Sequence, residues 1–296
     1  MVSVEFKKVI GEELSKVADS WEMRDITKNN GIKLSVVVIR KEGETIAPTI
    51  YLEDFERRYE KGESIESIIR RIVALSEEEP EFNQSDIMEV FTNFDKVKKN
   101  IVFELVSAKK NAELLEGVPH VEELGDLAVI FRVQIYASFK GGAATILITN
   151  EHAKMWGVTA SDLYREAKEN SKRLRPAKVE TMGAMLTALM GEEGFANEGF
   201  VPDMPGMYVV TNEVAVSGAA VILYEGVLKE LADKLDDDLV ILPSSIHECI
   251  IVPKSLGDIE ELTALVQLVN GNEVGESDIL SDHAYIYDRK QDKVVA

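Results

Sequence analysis

The sequence predicts an α+β fold of mixed, largely antiparallel sheets with packed helices. Segments rich in β-branched residues alternate with segments whose apolar residues recur at helical spacing, but no strict strand–helix–strand rhythm runs along the chain. Short turns join neighbouring strand-like segments, which is typical of hairpins. A chain of 296 residues, 45% of them hydrophobic, is long enough to bury a large core without disulfides or metals.

The first eighty residues predict three helices and one hairpin. From Val4 to Ser20, apolar residues recur at three- and four-residue steps, as on one face of a helix. The run IKLSVVVIR (32–40) predicts a strand, and TIAPTIYL (45–52) predicts its hairpin partner. Pro48 cannot donate to a ladder, so we expect that partner at a sheet edge. Helices are predicted over 53–62 and over 64–76, where isoleucines form an apolar stripe.

The middle of the chain predicts strands and helices in mixed order. We expect a helix over 85–100, strands over 101–108, 126–137 and 143–150, and helices over 157–173 and 178–191. Asn150 is a candidate cap for the helix that follows it, and Thr159 or Ser161 for the next one. The turn KGGAAT (140–145) lacks the spacing of a phosphate-binding loop and predicts a hairpin.

The C-terminal third is predicted to form a long loop, then four strands and two helices, and finally one more strand. The loop covers 192–206, which is rich in Gly, Pro and acidic residues. Strands are expected over 207–212, 218–224, 239–243 and 249–253, with helices over 225–235 and 257–270. A last strand is predicted over 283–289.

An acidic segment, SEEEPEFNQSD (76–86), is the one plausible domain boundary in the sequence. It separates an N-terminal α/β lobe, residues 1–80, from a C-terminal α+β lobe, residues 84–296. A chain of this length also fits one large domain. Both arrangements stay open at the level of sequence.

The charge balance makes nucleic-acid and membrane binding unlikely classes of function. Acidic residues number 53 and basic residues 33, for a net charge of −20, which opposes contact with phosphate backbones and anionic lipids. The excess of negative charge is best explained as keeping the protein soluble in a crowded cytosol. The alternative is that the protein is an acidic DNA mimic or inhibitor from a mobile element. Cys249 is the only cysteine. Without a signal-like apolar segment or a bilayer-length run, we expect a soluble, cytoplasmic protein.

Ser244, Ser245, His247 and Glu248 form the one local cluster of catalytic residue types. Side chains of neighbours in an extended segment run parallel, so they rarely converge as a nucleophile, base and orienting group. No glycine-flanked nucleophile elbow is present. We therefore expect a turn in which hydroxyls bond backbone amides, and the alternative is a hydrolase- or transferase-type active site.

Weaker ligand-binding candidates are three aromatic residues, Trp156, Tyr285 and Tyr287. The tyrosines alternate along the last predicted strand, so packing explains them and a stacking platform is the alternative. The four histidines lack the spacing of a zinc site, and no phosphate cradle is visible. The sequence therefore predicts no metal and no cofactor.

Four segments resemble a family of uncharacterised bacterial proteins. They are 29–68 (beginning NNGIKL and containing IAPTIYL), LITNEHAKMWGVTASDLYREAKENS (147–171), LPSSIHECIIVP (242–253) and LSDHAYIYDR (280–289). The resemblance is to a domain-of-unknown-function family common in gut-dwelling clostridia, and runs from about residue 5 to about residue 290. The segment WGVTASDLYREAKEN is also distantly similar to the YtpQ-like proteins of bacilli.

This resemblance implies a bacterial cytosolic setting and one architecture for the whole family, but it assigns no catalytic residue. With no nucleophile–base pair, metal set or phosphate cradle in view, we expect a non-enzymatic role. That role is the binding of an unknown protein or small-molecule partner.

Overall fold

The computed structural model describes residues 2–40, 47–77, 91–139, 142–190 and 206–295. The chain forms two compact units, Met1–Val90 and Phe91–Ala296. Helices and mostly antiparallel sheets occur in both, so the α+β prediction is confirmed. Independent folding of the first 80 residues stays a prediction, and the predicted boundary segment lies mostly outside the described residues.

The N-terminal unit packs three helices against a three-stranded antiparallel sheet. The strands are β1 (Trp21–Thr27), β2 (Lys33–Ile39) and β3 (Ile50–Tyr51), in the order β1-β2-β3. The helices are α1 (Val4–Leu14), α2 (Glu53–Glu60) and α3 (Ile65–Ser76). Their buried apolar side chains form one core with those of the sheet, centred on Ile10, Val37 and Ile68. β3 lies at the sheet edge, as Pro48 predicts.

One prediction for this unit was wrong in detail, and one strand was not predicted. The first helix ends at Leu14 instead of Ser20, and β1 follows it. In β1, Trp21 and Met23 alternate with Glu22 and Arg24, but Asp25 interrupts the alternation after four residues, which is too short a pattern to identify a strand.

The C-terminal unit contains two antiparallel sheets. The first has the strand order β4-β6-β5, and a fourth strand, β7, also pairs with β6; their bounds are β4 (Ile101–Ser107), β5 (His120–Glu123), β6 (Leu127–Phe139) and β7 (Gly142–Leu147). The second has the order β13-β12-β10-β11-β9-β8, from β8 (Ala177–Thr181), β9 (Tyr208–Asn212), β10 (Leu239–Leu242), β11 (Cys249–Pro253), β12 (Tyr285–Asp288) and β13 (Lys293–Val295).

Helices of this unit complete a core that both sheets share. They are α4 (Phe94–Val97), α5 (Ala112–Gly117), α6 (Asn150–Trp156), α7 (Ala160–Leu174), α8 (Met182–Met190), α9 (Val227–Leu235) and α10 (Ile259–Asn272). Phe103 and Phe131 of the first sheet pack in the same buried cluster as Val210 and Ile251 of the second. Thr159 caps α7, as predicted, with its hydroxyl accepting from the Asp162 N–H.

Three other predictions for this unit were wrong. Thr149, not Asn150, caps α6. The first four residues of the predicted helix over 178–191 belong to strand β8, because they pair with β9 before the helix begins at Met182. The predicted strand over 218–224 is a 3-10 helix, Gly218–Leu223. That run is buried on all sides, so its composition fits a buried strand and a buried helical turn equally well.

Candidate functional site

A groove in the N-terminal unit encloses a cavity of about 550 Å³. We call it the β3 groove. Its walls come from the edge strand and the two helices that follow it: Pro48, Thr49, Ile50, Tyr51, Asp54, Phe55, Arg58, Arg71, Ala74 and Leu75. Six of these ten side chains are apolar or aromatic. Their arrangement around a few polar groups is typical of small-molecule sites.

The sequence of α3 explains how this helix forms one wall of the groove. Ser64 caps α3 through its hydroxyl, which accepts from the Ser67 N–H. The helix then buries Ile68, Ile69 and Ile72 against the sheet, which turns Ala74 and Leu75 outwards. Leu75 is 39% exposed although it is a large apolar residue. The apolar part of the groove therefore combines the edges of two core residues, Ile50 and Phe55, with the exposed side chains of Ala74 and Leu75.

Two arginines line the β3 groove, one from each helix. Arg71 Nε donates to Glu63 Oε1 at 3.0 Å, and Arg58 Nη1 lies 3.7 Å from Glu63 Oε2. Both guanidinium groups are about half exposed, with side-chain exposures of 52% for Arg58 and 56% for Arg71. One carboxylate therefore pairs with two cations, and each guanidinium contacts it through one nitrogen.

The acids beside the β3 groove are already engaged. A hydrogen bond from the Ser67 hydroxyl, followed by hydrogen bonding and charge from Arg71, lowers the pKa of Glu63 against the opposing effect of desolvation. Asp54, the one acid in the wall, forms an ion pair with Arg57 on the outer side of α2. The wall therefore presents more available positive than negative charge, in a chain whose net charge is −20.

The sequence predictions missed this site. Two Arg-Arg pairs, Arg57-Arg58 and Arg70-Arg71, were the available signal, because they are unusual features of amphipathic helices in so acidic a chain. In each pair the second arginine lines the groove and the first does not. Sequence periodicity alone does not tell which arginine faces a cavity.

The structure brings Ser245 and His247 together in the turn between β10 and β11. The Ser245 hydroxyl is buried and accepts from the His247 backbone N–H at 3.0 Å. His247 Nδ1 accepts from the backbone N–H of Ser217 at 3.3 Å, and Nε2 lies 3.8 Å from Asp278 Oδ1. In the described part of the chain, neither ring nitrogen is hydrogen-bonded to a serine hydroxyl.

Main-chain contacts hold this turn from two sides. Thr211 donates its hydroxyl to the His247 carbonyl at 2.8 Å, and the Ser244 carbonyl accepts from the Leu280 N–H at 3.1 Å. Gly218 packs so closely that an added Cβ would lie 2.4 Å from the His247 carbonyl oxygen. Glu248 is half-exposed beside the turn. The catalytic alternative for these residues stays a prediction, whereas the observed contacts all secure the chain's own geometry.

Each of the three aromatic candidates packs within the second unit and donates a hydrogen bond there. Trp156 donates Nε1–H to the Phe91 carbonyl at 2.9 Å and packs edge-on against the Phe91 ring, 5.2 Å away. Tyr285 and Tyr287 are buried, and their hydroxyls donate to Asp126 and Asp292 respectively. Their rings belong to the core that the two sheets share.

A buried charge cluster lies at β4 and β6. The Glu104 carboxylate accepts from Arg132 Nε at 2.7 Å and from Arg175 Nη1 at 3.1 Å, and Arg175 is 1% exposed. Burial raises the pKa of Glu104, but the charges of Arg132 and Arg175 more than offset this and hold it below its ordinary value. Arg175 Nη2 has no hydrogen-bond partner among the described residues. No sequence signal pointed to this cluster.

Two features are absent from the described ranges, a cluster of metal-binding side chains and a membrane-spanning helix. These ranges contain no group of three or more His, Cys, Asp or Glu side chains placed to hold a metal ion. They also contain no helix with the length and apolar character needed to cross a bilayer.

Comparison with known proteins identifies a family but no activity. No curated protein and no solved structure matches the chain. One family, described as a family of unknown function (DUF5688), matches residues 3–289, nearly the whole chain. The clostridial setting and the likeness to the YtpQ-like proteins stay predictions. The match over nearly the full length shows that this chain belongs to the DUF5688 family.

Proposed function

We propose that this protein binds a small, largely apolar molecule without chemical conversion, and that the β3 groove is the binding site. The observation that carries the proposal is a cavity of about 550 Å³ walled mainly by apolar side chains with a few convergent polar groups. Small-molecule sites measure roughly 300–1,000 Å³ and have that composition. Catalysis at the Ser245–His247 turn and DNA mimicry stay alternatives without a supporting contact.

A small molecule fits the β3 groove better than an added peptide strand. β3 pairs with β2 over only two residues, Ile50 and Tyr51. Short edge strands are poor templates for strand addition, because few main-chain groups are available to a partner. The side-chain walls of the groove therefore contribute more of the binding surface than the strand edge does.

The proposal is tested with Nile red, a neutral dye that fluoresces in apolar surroundings, and with Ala74→Trp, which fills the groove. Ala74 is exposed, so the larger side chain is tolerated by the core. We expect saturable dye binding by the wild-type protein and at least about tenfold weaker binding by the variant, since a filled pocket loses most of its apolar contact area.

The matched control is Arg70→Trp, on the same helix but outside the groove wall. It adds the same indole ring, and we expect wild-type dye affinity. Equal dye binding by the wild-type protein and Ala74→Trp would place the dye elsewhere and overturn the proposal.

A further inference from the structure

We infer that the ligand of the β3 groove is an amphipathic carboxylate, whose acyl chain lies on the apolar part of the groove and whose anionic head contacts Arg58 and Arg71. This inference rests on the proposed function and adds the chemical class of the ligand. Its support is charge complementarity: two cations converge on an apolar cavity in a chain of net charge −20.

The positions of the two arginines support an anion between them. Each is bound to Glu63 through one nitrogen, by a hydrogen bond of 3.0 Å for Arg71 and an ion-pair contact of 3.7 Å for Arg58. A guanidinium has five N–H donors in a planar fork, so each arginine keeps donors for a second carboxylate. Glu63 balances one of the two positive charges, and the other is left for a ligand to balance.

The apolar walls determine the remainder of the ligand. Ile50, Phe55 and Leu75 offer no hydrogen-bonding side chain, so a ligand that is polar along its whole length would lose its hydration there without replacement. An unbranched alkyl chain loses no hydrogen bonds on entering. The combination of one anionic end and one apolar body therefore matches the wall better than an ion or a hydrocarbon alone.

The experiment displaces Nile red from the full-length protein with three probes that share a ten-carbon chain: decanoate, decanol and decyltrimethylammonium. The two ionic probes are used below their critical micelle concentrations, and decanol is used below its solubility limit in water. We expect decanoate to displace the dye at about tenfold lower concentration than decanol, and the cation to be weakest. High salt should reduce the difference between the displacing concentrations of decanoate and decanol, because the arginines are half exposed and salt screens their attraction for the carboxylate.

The two Arg-Arg pairs supply matched variants. Arg58→Gln and Arg71→Gln are each expected to weaken decanoate binding about fivefold and to leave decanol unchanged, since an exposed ion pair contributes modestly. Arg70→Gln removes the same charge one residue earlier on α3, outside the groove wall, and should leave both probes unchanged. Arg57→Gln removes the ion-pair partner of Asp54, which lies in the wall, so we expect weaker decanoate binding and unchanged decanol binding.

Glu63→Gln tests the same two arginines with a variant that should strengthen decanoate binding. It removes the carboxylate that occupies both guanidinium groups, so we expect tighter decanoate binding. Loss of decanoate binding in this variant would contradict the arrangement.

The outcomes separate the two proposals. No saturable dye binding would refute the proposed function itself. Dye binding with equal displacement by the three probes would keep the groove as a binding site and overturn the carboxylate. Displacement by an acetylated apolar tripeptide amide, but not by decanoate, would place a peptide in the groove and overturn it as well.

Discussion

Glu104 is the residue on which the buried charge cluster of the second unit depends. It is the only acid in hydrogen-bond contact with both Arg132 and Arg175 among the described residues. Replacing it with the isosteric Gln leaves the buried Arg175 and the partly exposed Arg132 without a counter-charge, so we expect Glu104→Gln to lower the free energy of unfolding by about 3–5 kcal/mol. Denaturant unfolding followed by circular dichroism measures this loss.

Acid should reduce the difference between Glu104→Gln and the wild type. The folded-state pKa of Glu104 lies below its ordinary value of 4.5, so its stabilisation is present above that pH and is lost as pH falls through the lower folded value. Glu180→Gln is the control, because Glu180 pairs with Lys178 at the surface and should cost under about 1 kcal/mol. If the difference in unfolding free energy between Glu104→Gln and the wild type stays constant down to strong acid, this role of Glu104 is contradicted.

Gly218 determines how the 3-10 helix Gly218–Leu223 packs against the turn between β10 and β11. A Cβ there would meet Thr211 Oγ1 at 2.1 Å, the His247 carbonyl oxygen at 2.4 Å and the Asn212 backbone nitrogen at 2.9 Å. Two of these are main-chain atoms that cannot rotate away, so we expect Gly218→Ala to cost about 3 kcal/mol or more. Thermal unfolding of the purified variant measures it.

Gly271→Ala is the matched control for this element. Gly271 lies in α10 with nothing within 4 Å of an added Cβ, and alanine favours a helix over glycine by about 0.5–1 kcal/mol. We therefore expect unchanged or slightly raised stability. Similar losses in the two variants would mean that the close packing at Gly218 is not what secures the turn.

Some elements of this fold could be predicted from the sequence and others could not. The stripe of α3, the Thr159 cap and the strand β12 were predictable, because periodicity and capping are local properties. The 3-10 helix was not, since its course depends on the approach of Gly218 to a turn about 30 residues later. The candidate site was not predicted either, because Arg58 and Arg71 meet only through the tertiary packing of α2 and α3.

At the scale of the whole molecule, each unit has a core of its own. The buried cluster of the first is built from residues up to Ile72, and the shared core of the second from Phe91 onwards. A fragment that keeps one whole core loses none of the burial that stabilises it. We therefore expect the chain without residues 1–80 to fold, with native near-ultraviolet dichroism and a single cooperative thermal transition.

The full-length chain and the fragment should then also differ in ligand binding. The β3 groove is built entirely from residues before Ser76, so the fragment should lose saturable Nile red binding while it keeps its cooperative unfolding. Analytical ultracentrifugation shows whether the fragment stays monodisperse. Aggregation without a folded transition would mean that the second core needs the first eighty residues, and the chain would then be one folding unit despite its two cores.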